Sequence, residues 1–142
     1  MNLKLYSAYL LLSLLSDWAL LVLRAVLGVI SVAHGCLKLK NLPRTADNFN
    51  SVSLRPGKLW GTLAALVEFF GGLLLILGYY ARPVAFALVV EFLVINIWKW
   101  SRREPLVGGY ELDLLILAAA LTVLFLGAGA FSLDHFYLLG GP

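Results

Sequence analysis

The sequence predicts an all-α membrane protein: a four-transmembrane-helix bundle with an extra N-terminal interfacial helix. Three observations lead there. The 142 residues are 61% hydrophobic and 13% charged, against about 45–50% and about 25% in an average soluble domain, so the chain cannot build a charged exterior. Four apolar stretches are each long enough to cross a hydrocarbon core, which takes about 20 residues. The basic residues gather in the polar stretches between the apolar ones, a topology signal and not a nucleic-acid patch.

Residues 3–15, LKLYSAYLLLSLL, are apolar but short. Joined without a break to the next stretch they would form a helix of about 55 Å, far longer than a hydrocarbon core of about 30 Å. Ser16 and Asp17 read as an N-cap that divides the two. Residues 1–16 are therefore expected to be a separate interfacial segment. A cleaved signal peptide is the rival reading, but only Lys4 precedes the apolar run and no small-residue cleavage site stands out. The membrane domain is expected over 17–134, with 135–142 as a short tail.

The spans are expected at about Trp18–Leu39, Leu59–Tyr80, Pro83–Trp100 and Tyr110–Ala130. In lipid the backbone must bond to itself, so each is a helix. The second and third are joined by almost nothing, Ala81 and Arg82, with Pro83 opening the next helix; they must form an antiparallel hairpin. Residues 40–57 and 101–109 read as polar loops. Lys38, Lys40, Arg44, Arg55, Lys58, Lys99, Arg102 and Arg103, eight of the eleven basic residues, lie in or beside them. The positive-inside rule puts both loops in the cytoplasm and both chain ends outside, across a cytoplasmic (inner) membrane.

Ionisable groups inside the spans carry the functional question. Each costs at least about 2.5–3.5 kcal/mol to insert, and so needs a partner, a cavity or a neutralising proton. At 1.5 Å per residue from the outer helix ends, Arg24, Glu91 and Glu68 fall about 10, 12 and 18 Å deep. His34, Lys38 and Glu111 lie deeper, near the cytoplasmic face. Arg24 and Glu91 are thus candidates for a structural ion pair, with Glu68 as Arg24's other possible partner. His34, Lys38, Glu68 and Glu111 are candidates for binding a ligand or a proton. Arg24, Gly28, Ser31, Gly35 and Lys38 share one side of the first helix. Gly57, Gly61, Glu68 and Gly72 share a side of the second, where small residues let helices approach. Glu111, Ala118 and Thr122 share a side of the fourth, with Asp113 pointing elsewhere.

Other chemistry is restricted. A single cysteine, Cys36, rules out an intramolecular disulfide or a CxxC pair. The two histidines, His34 and His135, offer no metal-ligand spacing and no pair for haem, and no cysteine set for an iron–sulfur cluster exists. No metal and no intrinsic cofactor are expected.

Four ordered motifs, RAVLGVISVAHGCLKL at 24–39, VEFFGGLLLILGYYARP at 67–83, GGYELDLLILAAAL at 108–121 and GAGAFSLD at 127–134, resemble the DoxX family of small four-helix membrane proteins. The likeness covers Arg24, Gly28, His34-Gly35, Lys38, Glu68, Gly71-Gly72, Gly78, Arg82, Glu111, Gly127, Gly129 and Leu133-Asp134; Glu91 lies outside the pattern. The resemblance implies a family loosely tied to respiration and redox chemistry, with some relatives described as subunits of thiosulfate:quinone oxidoreductase. The expectation is a quinone-interacting or accessory subunit of a membrane redox complex. Beyond the lipid bilayer, its expected partner is a redox protein or a second copy of the chain. The rival expectation is a non-catalytic assembly or chaperone-type protein. A small transporter has less support, because no inverted repeat and no broken span is visible.

Overall fold

Asn41 ends the long first helix and starts the next: its side-chain oxygen accepts the N–H of Arg44 at 3.4 Å, an N-cap bond. From that point the chain doubles back through a series of helices. The computed structural model describes residues 3–138, and its elements are α1 (Leu3–Lys40), α2 (Leu42–Ser51), α3 (Gly57–Leu77), α4 (Ala81–Ser101), α5 (Glu111–Leu126) and α6 (Leu133–Leu138). A kinked segment at Leu106–Tyr110, with Val107 extended and Gly108 at φ +78°, leads into α5. Four helices are long and apolar enough to cross a membrane, the last counted from Leu106. No strand occurs among the described residues.

The exterior explains why this fold needs lipid. Val22, Val26 and Val29 of α1, Phe70 and Leu73 of α3, Phe86 and Val90 of α4, and Leu115 of α5 are all exposed. Arg24 and Glu68, by contrast, are each only 1% exposed. Apolar side chains outside and charges inside invert the soluble pattern and suit a hydrocarbon solvent. The core consists of Leu27, Leu75, Leu88, Phe92, Ile116, Leu117 and Val123, with Ala81, Ala85 and Ala120 where helices approach closely.

Glycine sets the tightest contact. A methyl group on Gly28 would lie 2.6 Å from the Gly72 carbonyl oxygen, and one on Gly35 would collide with the Phe69 backbone. Those glycines fix the antiparallel register of α1 on α3: Gly28 faces Gly72, and Gly35 faces the turn 65–69. Gly57 and Gly61, expected on the same face as Gly72, instead serve α2. A methyl on Gly57 would collide with the Ala46 carbonyl, and one on Gly61 would lie 3.0 Å from the Thr45 side chain.

Four expectations are corrected. First, Ser16-Asp17 does not divide the N-terminal segment from the first span; α1 runs unbroken over 38 residues. Ser16 Oγ donates to the Leu12 carbonyl one turn back at 2.9 Å, and the Asp17 carboxylate accepts the Ala130 N–H at 3.0 Å, so neither caps a helix. Residues 10–16 of α1 are all exposed, so this part of the helix projects past the bundle, over about 10 Å at 1.5 Å per residue. Second, the polar stretch 40–57 holds the helix α2, which packs on the start of α3. Third, the hairpin turn is Gly78-Tyr79-Tyr80, and Pro83 is the third residue of α4. Fourth, the last span ends at Leu126, where Gly127 at φ +84° diverts the chain. Residues 1–2 of the expected interfacial segment and 139–142 of the expected tail lie outside the described residues.

Candidate functional site

Charged side chains collect at two levels. At the hairpin end, Arg24 donates from Nη1 to the Ala128 carbonyl at 3.1 Å and from Nη2 to the Phe131 carbonyl at 2.7 Å. Asp134 accepts the Tyr80 and Ala81 N–H groups, each at 2.8 Å, and its own N–H donates to the Gly78 carbonyl at 2.9 Å. Arg82 donates to the Phe125 carbonyl at 3.3 Å. Together with Asp17, these groups clamp the segment GAGAFSLD across the end of the bundle. A side chain at Gly78, which sits at φ +69°, would run into the Arg24 guanidinium.

The expected Arg24–Glu91 pair is therefore not formed, and Arg24 does not reach Glu68 either. Register is the reason. Gly28 facing Gly72 puts Arg24 level with the end of α3, about 12 Å from the level of Glu68 at 1.5 Å per residue. Depth measured from Trp18 placed Arg24 too deep, because at this register Trp18 lies beyond the Leu77 end of α3, beside Phe131.

The partner of both acids is Lys38. Its Nζ lies 2.9 Å from Glu68 Oε2 and 2.9 Å from Glu91 Oε1. The contact with Glu91 is an aligned hydrogen bond; that with Glu68 is a close ion contact without hydrogen-bond alignment. Lys38 reaches them because Cα–Cβ bonds tilt toward a helix's N-terminus, which directs its long side chain back up the bundle. Glu68 lies eleven residues before Tyr79 and Glu91 twelve after it, so the tight hairpin brings the two acids level. Side-chain exposure is 1% for Glu68, 10% for Glu91 and 22% for Lys38. Glu68 Oε1 and Glu91 Oε2 are buried with no hydrogen-bond donor.

Lys38 and Glu68 line a cavity of about 690 Å³ that extends toward the polar-loop end. His34 lines it from α1 and Phe49 from α2, and the Phe49 ring centroid lies 5.8 Å from Lys38 Nζ. Phe92, Ile95, Ile97 and Trp98 of α4 make its apolar wall. Lys99 and Asp113 also face it, paired at 2.7 Å, and Lys99 further donates to the Gly109 carbonyl at 3.2 Å.

Of the four residues expected to bind a ligand or proton, His34, Lys38 and Glu68 meet at this cavity. Glu111 does not join them: it is exposed and absent from the lining, and Ala118 on its face is exposed too. Asp113, expected to point away, takes its place. Residues two apart on a helix face nearly opposite ways, so the kink at 106–110, which sets the phase of α5, decides which acid turns inward. The α5 face that packs inward carries Ile116, Leu117, Ala120 and Val123. Lys99 gave a signal in sequence, as a cation at the end of a span with an acid across a short connection. Phe49 gave none, because it stands in the stretch 40–57, whose polar composition reads as a loop.

The arrangement offers an ammonium donor, carboxyl groups and an imidazole at the buried end of an apolar slot. Among the described residues no three His, Cys, Asp or Glu side chains converge as metal ligands.

Residues 19–99 match the sequence family described as DoxX. The chain is also similar to a protein of Haemophilus influenzae described as uncharacterized, 34% identical over 118 residues that cover 80% of this chain and 86% of the relative. No solved structure matches the chain.

Proposed function

The chain belongs to the DoxX family of membrane proteins, and from that premise we propose that it is a quinone-interacting accessory subunit of a membrane-bound redox complex. One observation supports this above others: an apolar cavity ends at Lys38 and Glu68, and both buried carboxyl oxygens of Glu68 lack a hydrogen-bond partner. A quinone is a flat apolar ring with two carbonyl oxygens that need donors. Phe49, Phe92 and Trp98 suit the ring, and Lys38 Nζ and a His34 ring N–H suit the oxygens. Electrons come from a partner in this reading, because the sequence holds one cysteine and two distant histidines. The polar-loop end then faces the cytoplasm, where the basic residues concentrate.

The test is photo-cross-linking of the full chain in lipid nanodiscs with a quinone analogue that carries an isoprenoid tail. Labelling is expected on the cavity wall around Trp98. His34→Ala should weaken binding about fivefold, the loss of one hydrogen bond of about 1 kcal/mol, and Glu68→Gln, which removes one of the two carboxylates that orient Lys38 Nζ, should weaken it by a similar factor. Glu111→Gln should leave it unchanged. Label spread over the lipid-facing surface, or binding indifferent to both cavity variants, would remove the proposed site.

A second reading, a non-catalytic assembly protein, is favoured by the way Lys38 ties α1 to both α3 and α4. It predicts that Glu68→Gln releases a co-purifying partner with no quinone analogue involved.

A further inference from the structure

The group formed by Lys38, Glu68 and Glu91 contains one ammonium and two carboxyls. Both bound carboxyl oxygens lie 2.9 Å from the same nitrogen, so they are no more than twice that distance apart. With every group ionised the cluster carries one uncompensated negative charge inside the bundle, where an unpaired charge is costly. The other nearby cations are committed elsewhere. Arg24 donates to the Ala128 and Phe131 carbonyls, Arg82 to that of Phe125, both at the hairpin end. Lys99 is paired with Asp113.

The acceptors are also in excess. Glu68 Oε1 and Glu91 Oε2 are buried without a donor, and the side chain of Glu68 is 1% exposed. A carboxyl proton supplies a donor and cancels the surplus charge in one step. A metal cation would instead sit against the Lys38 ammonium, itself 2.9 Å from both carboxyls.

We propose that Lys38, Glu68 and Glu91 form a proton-binding site, which holds one exchangeable proton on the Glu68–Glu91 carboxyl pair and exchanges it with the polar-loop side through the cavity. Lys38 and Glu68 line that cavity while Glu91 stands behind them, so the proton enters past Lys38. The charged and titratable groups facing the site are His34 of α1, Lys99 of α4 and Asp113 of α5. The α2 residues that line the cavity are Asn48, Phe49 and Ser51, none of them charged. The assignment goes beyond quinone binding and needs no organic ligand.

Infrared spectroscopy of the full chain in lipid nanodiscs, without quinone and with the Glu carboxyls ¹³C-labelled, tests it. At neutral pH the native protein should show the C=O stretch of one protonated carboxyl per chain, shifting on transfer to D₂O. Glu68→Gln and Glu91→Gln should each abolish the band, since the remaining carboxylate then matches Lys38 one to one. Lys38→Met should double it. A native spectrum with only ionised carboxylates overturns the proposal, as does a band that survives either glutamine variant. A band that appears only when sodium is withdrawn overturns it too, because a metal ion then fills the role. Because no quinone is present, failure here leaves the quinone reading standing, and the converse also holds.

Discussion

Asp134 offers the sharpest test of how the hairpin end is held. Its two carboxylate oxygens accept the Tyr80 and Ala81 N–H groups at 2.8 Å each, one exposed and one part-buried. Those are orphan donors at the start of α4, and Tyr80 is held at φ +51°, where a side chain is disfavoured by about 1–2 kcal/mol. A hydrogen bond to a charged group contributes about 1.5–3 kcal/mol when sheltered, and an exposed neighbour about 0.5–1 kcal/mol. Asp134→Ala should therefore destabilise the protein by about 2–4 kcal/mol. Asp134→Asn keeps one acceptor but loses the charge beside the helix N-terminus, and should cost about 1 kcal/mol. Reversible unfolding by SDS in mixed micelles, followed by circular dichroism, measures both. If Asn equals the native protein and Ala loses less than about 0.5 kcal/mol, α4 is capped by water and the clamp reasoning fails.

Two further outcomes are expected from the same unfolding assay. Lys38→Met leaves two buried acids without a cation and should cost about 3–5 kcal/mol, whereas Lys38→Met/Glu68→Met/Glu91→Met should recover most of that loss; equal losses would mean that the cluster's charge is not what matters. Gly28→Ala sets a methyl 2.6 Å from a backbone oxygen of α3 and should cost about 1–3 kcal/mol, while Gly71→Ala meets only a Val84 methyl at 2.9 Å and should cost less. The reverse order would refute the α1–α3 register.

Much of the fold was legible because bilayer physics restricts it. Long apolar runs must be helices, and spans joined by almost nothing must form a hairpin, although the turn lies at Gly78-Tyr79-Tyr80 and not at Ala81-Arg82. Glu68 was legible as an anomaly for the same reason, an acid in an apolar span that requires compensation. What failed was depth. Counting from Trp18 assumed that it lies level with the ends of the other helices, yet the Gly28–Gly72 register puts Trp18 beyond the Leu77 end of α3, beside Phe131, so Arg24 belongs with Gly78 and not with the acids. Asp113 was missed because a kink of five residues, invisible in hydropathy, sets which acid of α5 turns inward.

The sequence by itself determined the solvent, the four spans and the set of charges that must find partners inside them. Those follow from composition and length, which act residue by residue. The tertiary structure decided which charge meets which. Lys38 sits 30 residues from Glu68 and 53 from Glu91, and Asp134 caps a helix whose first residue lies 53 positions earlier. Such pairings depend on helix register, and register here is set by backbone contact at Gly28, Gly35 and Gly72. Those contacts emerge only when two helices are brought together.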